Sequence, residues 1–161
     1  MMTHLSCNVI KALEGKTLVT AESCTGGGIG AVLTSVPGSS KVYKGGVISY
    51  TNWVKENILD VDKTVLNREG AVSAPVAKMM AEGVREVLQA DIGVSVTGLA
   101  GPDADEYGYP VGTVFIGYAD ASKTDVKQCY FLGDRDEIRE QTVSAALTLI
   151  LEHLTSKDPS L

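Results

Sequence analysis

Leu18 to Leu33 reads LVTAESCTGGGIGAVL: an apolar run that ends in an acid, then a hydroxyl, a thiol and a hydroxyl, then three glycines. That order is expected of a buried strand turning sharply into a helix. Such an elbow projects a side chain into a cleft, where nearby amides can steady an oxyanion. Ser23 is the candidate nucleophile on this reading. Cys24 competes with it, because a thiol at a helix N-terminus is acidified, and Thr25 can equally serve as the helix cap. Neighbours on a tight turn point in different directions, so at most one of them is expected to face a substrate. The glycine amides that follow make the helix start friendly to an anion.

A serine nucleophile needs a base. The two histidines, His4 and His153, lie near the chain termini and read as solvated helix positions. The segment SYTNWVK offers Tyr50 at a strand end, Asn52 as a helix cap, and Lys55 one turn later. Lysine becomes a base when desolvation or a nearby cation lowers its pKa from about 10.4. From spacing alone, Lys55 reads first as a solvated surface lysine and Tyr50 as a residue at the edge of the core, and the pairing of Ser23 with Lys55 is only allowed.

Two further stretches carry polar content. In VTGLAGPDADEYGYPVGT, Thr97, Gly98 and Gly101 end a strand with amides that suit a phosphate or an amide; a long hairpin connection has the same composition. Asp103, Asp105 and Glu106 lack the full ligand set of a calcium loop and read as solvated acids. In GDRDEIR, Arg135 stands at a helix start between Asp134 and Asp136. A cation there opposes the helix dipole, which makes Arg135 a candidate phosphate clamp.

Several chemistries are disfavoured. Gly26 to Ala31 fits the G-x-G-x-x-A dinucleotide pattern, but no acid follows Glu22 until Glu56, so the ribose-binding acid due about 20 residues on is missing. No Gly-Lys-Ser/Thr follows to complete a P-loop. A net charge of -6 argues against a nucleic-acid surface. Cys7, Cys24 and Cys129 are odd in number and widely spaced, which suits neither a disulfide framework nor a zinc site. No metal or cofactor is expected. With neither a signal-like start nor about 18 uninterrupted apolar residues, no membrane association is expected, and the chain reads as cytoplasmic.

The elements that must position these residues follow an α/β order. HLSCNVIKAL is helical in spacing, KTLVTA and GGVISY read as strands, and GGIGAVLTSV, WVKENIL and APVAKMMAEGVREVLQ as helices. The last of these is opened by Ser73 and Pro75 and directs Val76, Met80, Val84, Val87 and Leu88 to one side. IGVSVT is a third strand, GTVFIGYA and DVKQCYFL a hairpin joined by DASKT, and Asp134-x-x-Glu137 a capping box opening the closing helix. The whole reads as one domain over residues 1–161, a three-layer α/β/α sandwich with a mixed, mainly parallel sheet of about five strands, and a frayed tail from 155. Ligands in such sheets sit beyond the carboxyl ends of the strands.

Together, TAESCTGG, GGVISYTNWVK, GAVSAPVAKMMAEG, VSVTGLAGPD with PVGTVFIGYA, and FLGDRDEIREQTV resemble the CinA C-terminal domain family over about residues 12–154. The resemblance implies hydrolysis of the nicotinamide amide of nicotinamide mononucleotide (NMN) to nicotinate mononucleotide and ammonia, in pyridine-nucleotide recycling. It places the family's serine on Ser23, its lysine on Lys55 with Tyr50 and Thr25 nearby, and its arginine on Arg135. Gly26 and Gly27 would then hold the oxyanion, and Arg135 or the Thr97–Gly101 amides the 5′-phosphate. The chain resembles the family's stand-alone form, and the resemblance implies a homodimer. Its loop DADEYGYP departs from the family's usual glycine, acids and lysine. A catalytically silent nucleotide-binding module is the alternative.

Overall fold

A computed structural model describes residues 2–156. In chain order the elements are α1 (Met2–Leu13), β1 (Leu18–Glu22), α2 (Gly28–Thr34), β2 (Tyr43–Ile48), α3 (Asn52–Asn57), α4 (Lys63–Glu69), α5 (Ala74–Val87), β3 (Ile92–Gly98), β4 (Thr113–Ala119), β5 (Thr124–Tyr130) and α6 (Arg135–Thr155). The strands form one sheet in the order β2-β1-β3-β4-β5. β1 pairs in parallel with β2 and β3, while β3–β4 and β4–β5 pair antiparallel. Four strands thus run one way and β4 alone runs back, which is the mixed, mainly parallel sheet the pattern implies.

Alternation along the strands divides the core between the two faces. Leu18, Val94, Val96, Val114 and Ile116 pack with residues of α1, α2 and α6, among them Leu13, Ile29, Leu33, Leu147 and Ile150. Val19 and Ala21 pack on the other face with Val65 and Leu66 of α4 and with Val76, Met80 and Val84 of α5. Each such aliphatic side chain contributes about 1.5–3 kcal/mol when fully buried. The approach of α5 depends on two glycines of neighbouring strands. A Cβ on Gly93 would stand 2.3 Å from the Ala81 carbonyl oxygen, and one on Gly117 2.5 Å from that of Ala77. Ser95 lies between them and donates its hydroxyl to Ala77 at 2.6 Å.

Local signals were mostly followed. Asp134 and Glu137 form the reciprocal capping box at the start of α6. The cap of α3 is Thr51 rather than Asn52: its hydroxyl accepts the Val54 amide, and Asn52 is the first helical residue. Helix α5 stops at Val87, which stays half exposed instead of joining the core. Thr155 is still helical, and 157–161 of the expected tail lie outside the described residues. His153 is not a solvated position: its ring stacks on Tyr118 at 3.9 Å and its Nε2 lies 3.0 Å from Asp125. No helix among the described residues is long and apolar enough to cross a membrane.

Candidate active site

The parallel strands β1, β2 and β3 end at Glu22, Ile48 and Gly98 along one edge of the sheet. A cavity of about 310 Å³ opens there. Ser23 and Cys24 border it from the elbow after β1, Tyr50, Asn52 and Lys55 from the segment after β2, and Thr97, Gly98 and Asp105 from the segment after β3. Arg135 closes it from the start of α6. Seven of the eleven residues singled out by the sequence therefore meet at one place. Thr25, Gly26, Gly27 and Gly101 do not border the cavity. Both Ser23 and Cys24 do, against the expectation that the turn would offer only one of them.

Lys55 is 1 % exposed, so it is not the surface lysine its spacing allowed. Its Nζ donates to Ser23 Oγ at 2.9 Å and to the Ser49 carbonyl at 2.7 Å. The Ser49 amide in turn donates to the Glu22 carbonyl at 2.8 Å, so the parallel pairing of β1 with β2 holds the lysine against the serine. No carboxylate pairs with Lys55 among the described residues. Burial without a counter-ion penalises its charged form and lowers its pKa to about 8, with Cys24 opposing slightly. About a tenth of it is then neutral at pH 7. Burial acts the other way on Cys24, pushing its thiol up to about 11. The thiolate is thus scarce at neutral pH while the free amine is accessible, which favours Ser23 over Cys24 as the nucleophile.

The elbow is held by a residue that sequence reasoning missed. Glu22 is buried, and its carboxylate accepts the Thr25 hydroxyl at 2.7 Å, the Ile29 amide at 2.8 Å and the Gly30 amide at 3.0 Å. The helix start that looked ready for an external anion is thus filled by the chain's own. The Gly26 amide is also engaged, donating to the Ser23 carbonyl at 3.1 Å, so the glycine run shapes the turn and faces away from the cavity. Thr25 does not cap α2; the cap is Gly27 at φ 104°, which a side chain would strain. From the far side Arg139 donates to the carbonyls of Cys24 and Thr25 at 3.0 and 3.3 Å. The available signal was an acid ending a buried strand just before a glycine-opened helix.

Glu22→Ala would leave the buried Ile29 amide, the partly buried Gly30 amide and the buried Thr25 hydroxyl without an acceptor. Hydrogen bonds to a charged group contribute about 1.5–3 kcal/mol each, so the variant should lose about 3 kcal/mol or more in urea unfolding. Unchanged stability would mean that the elbow is held by other groups.

Arg135 donates to the Gly101 carbonyl at 2.6 Å and to the Tyr50 hydroxyl at 3.1 Å. Both partners are neutral. Asp134 is occupied as the α6 cap, and Asp136 lies 3.9 Å from Arg139, so neither flanking acid neutralises Arg135. The Thr97 hydroxyl donates to the Ala71 carbonyl at 2.8 Å, and the Leu99 amide to that of Thr113 at 2.9 Å. An anion entering the cavity would therefore meet a guanidinium that no carboxylate pairs among the described residues.

The fold and the site define a small three-layer α/β domain with a buried serine–lysine pair and an unneutralised arginine at the carboxyl edge of its sheet. The chain belongs to the CinA C-terminal domain family, whose model matches residues 3–154. It is 50% identical over 131 residues to a CinA-like protein of Salinibacter ruber, covering 81% of this chain and 32% of that one. A CinA-like protein of Syntrophotalea carbinolica is 41% identical over 152 residues, 93% of this chain and 37% of the relative. The chain thus spans about a third of the length of these curated relatives. Among solved structures, the competence damage-inducible protein A (ComA) of Klebsiella pneumoniae superimposes with a TM-score of 0.94 at 33% identity, covering 98% of this chain and 99% of that one. The competence/damage inducible protein CihA of Agrobacterium tumefaciens gives 0.88 at 36% identity over 96% of each chain.

Proposed function

We propose that this chain is an amidohydrolase that converts NMN to nicotinate mononucleotide and ammonia. The observation that carries the reading is the 2.9 Å contact between Ser23 Oγ and a buried Lys55 with no carboxylate partner among the described residues. A lysine paired with an acid would stay protonated; this one can accept a proton. Ser23 Oγ attacks the carboxamide carbon while Lys55 takes the hydroxyl proton. As the tetrahedral adduct collapses, the C–N bond breaks and Lys55 returns the proton to the departing nitrogen, releasing ammonia. Water then attacks the acyl-serine, giving up a proton to Lys55, and the carboxylate leaves as Ser23 Oγ recovers that proton.

The remaining residues bind and orient. Arg135 takes the 5′-phosphate, a doubly charged group for which a planar guanidinium is well suited. Tyr50, bonded to Arg135 at 3.1 Å, steadies that side chain at the mouth of the cavity. Asn52 and the Gly98 backbone supply neutral polar groups on either side of the reacting amide.

Chromatographic separation of NMN from nicotinate mononucleotide after incubation with the protein, with ammonia measured in parallel, tests the reading. Equimolar appearance of the two products is expected; binding of NMN without either product would reject it. The pH profile is a second check. With Lys55 at about 8, kcat/KM should rise about tenfold per unit of pH below that value and level off above it. A profile that is flat between pH 6.5 and 8 would remove Lys55 from the role of base.

A further inference from the structure

The segment joining β3 to β4 carries Asp105, the one carboxylate among the described residues bordering the cavity. Tyr107 anchors this segment outside the cavity. Its hydroxyl donates to the Asn67 carbonyl at 2.9 Å, and its ring lies over Gly70, where a Cβ would stand 2.6 Å from the ring edge. The Tyr107 amide donates to Asp105 Oδ1 at 3.0 Å, so one carboxylate oxygen is fixed by the anchor itself. Among the described residues Asp105 forms no ion pair with Arg135 or Lys55. Two opposite charges, Asp105 and Arg135, thus border one cavity of about 310 Å³ without neutralising each other.

Resting on the reading of this cavity as a pyridine-nucleotide site, we infer that Asp105 is a specificity-determining residue that selects a zwitterionic ligand, one carrying a fixed positive charge on its ring and a phosphate. NMN has this character, because its N-ribosylated pyridine ring is permanently cationic. A cationic ring entering beside Arg135 and Lys55 meets like charge on both. Asp105 supplies the opposite charge that makes its entry favourable, while Arg135 holds the phosphate. A pair of fixed charges of opposite sign also sets the direction in which the ligand lies. Reduced NMN, whose dihydropyridine ring is neutral, keeps the carboxamide, ribose and phosphate but gives Asp105 no charge to pair with.

The test is calorimetric affinity for NMN and for reduced NMN, measured on Ser23→Ala protein so that turnover does not intervene, with and without Asp105→Asn. Asparagine retains an oxygen for the Tyr107 amide, so the anchor is preserved and only the charge is removed. NMN should bind about tenfold more tightly than its reduced form; Asp105→Asn should weaken NMN about tenfold and leave reduced NMN within twofold. Equal weakening of both ligands, or of neither, would overturn the inference. A charge preference that holds while the wild-type protein releases no ammonia from NMN would reject the amidase reading and leave this one standing. Failure to bind either nucleotide would reject both.

Discussion

Ser23→Ala and Lys55→Ala should each lower the release of ammonia from NMN by about 10⁴-fold or more, and the double variant should be no worse than either one alone. In the proposed reaction the two side chains act on a single proton: the hydroxyl becomes a strong nucleophile only as Lys55 accepts its proton, across the 2.9 Å contact between them. Removing either ends that transfer, and removing the second has nothing left to take away. The loss should fall on kcat, because Arg135 and Asp105 remain to bind the nucleotide. Initial rates from a coupled ammonium assay measure it. Losses that multiply in the double variant would mean that Lys55 and Ser23 contribute independently, contrary to a shared proton transfer.

Lys55→Met should make the protein more stable while abolishing its activity. The folded-state pKa of Lys55 is lowered from 10.5 to about 8 by burial, so folding pushes protons off this group. Below about pH 8 the chain bears the whole cost of burying the cation. Between about 8 and 10.5 the unfolded chain holds more protons than the folded one, and stability rises with pH. The shift corresponds to about 3 kcal/mol at one pKa unit per 1.36 kcal/mol. Methionine fills a similar volume but gives up the donors to Ser49 and Ser23, an offset of about 1–3 kcal/mol for the two hydrogen bonds. The variant should therefore gain up to about 2 kcal/mol in urea unfolding at pH 7, and the gain should shrink as both proteins are compared at pH 10. A variant less stable than the parent at pH 7 would show that Lys55 is structural. Retaining a destabilising residue is what a site under functional demand would do.

The strands were legible because β1 and β3 are continuous buried runs and the β4–β5 hairpin has a turn rich in Asp, Ser and Lys. The closing helix was legible from its capping box. The burial of Lys55 was not, because a lysine on a six-residue helix looks the same whether that helix faces water or a sheet edge. Only the pairing of β1 with β2 brings it under the elbow. Glu22 gives no local sign of its role, because its partners Thr25, Ile29 and Gly30 lie within and beyond the turn that follows it, and the glycine pattern points to external anions instead. Asp105 was read as solvated because its neighbours in sequence are acidic and exposed; Tyr107, two residues on, is what fixes its place. His153 shows the same limit: its stacking on Tyr118 joins positions 35 apart in number, which no local spacing records.

On the proposed mechanism the elbow presents Ser23, and not Cys24, to the amide. Ammonia release from NMN by Cys24→Ala, beside the wild-type protein and Ser23→Ala, decides it. Turnover within a few-fold of wild type is expected for Cys24→Ala, since its thiol is held protonated with a pKa of about 11, and almost none for Ser23→Ala. Loss of turnover in Cys24→Ala with activity surviving in Ser23→Ala would contradict it, and would assign the nucleophile to the thiol.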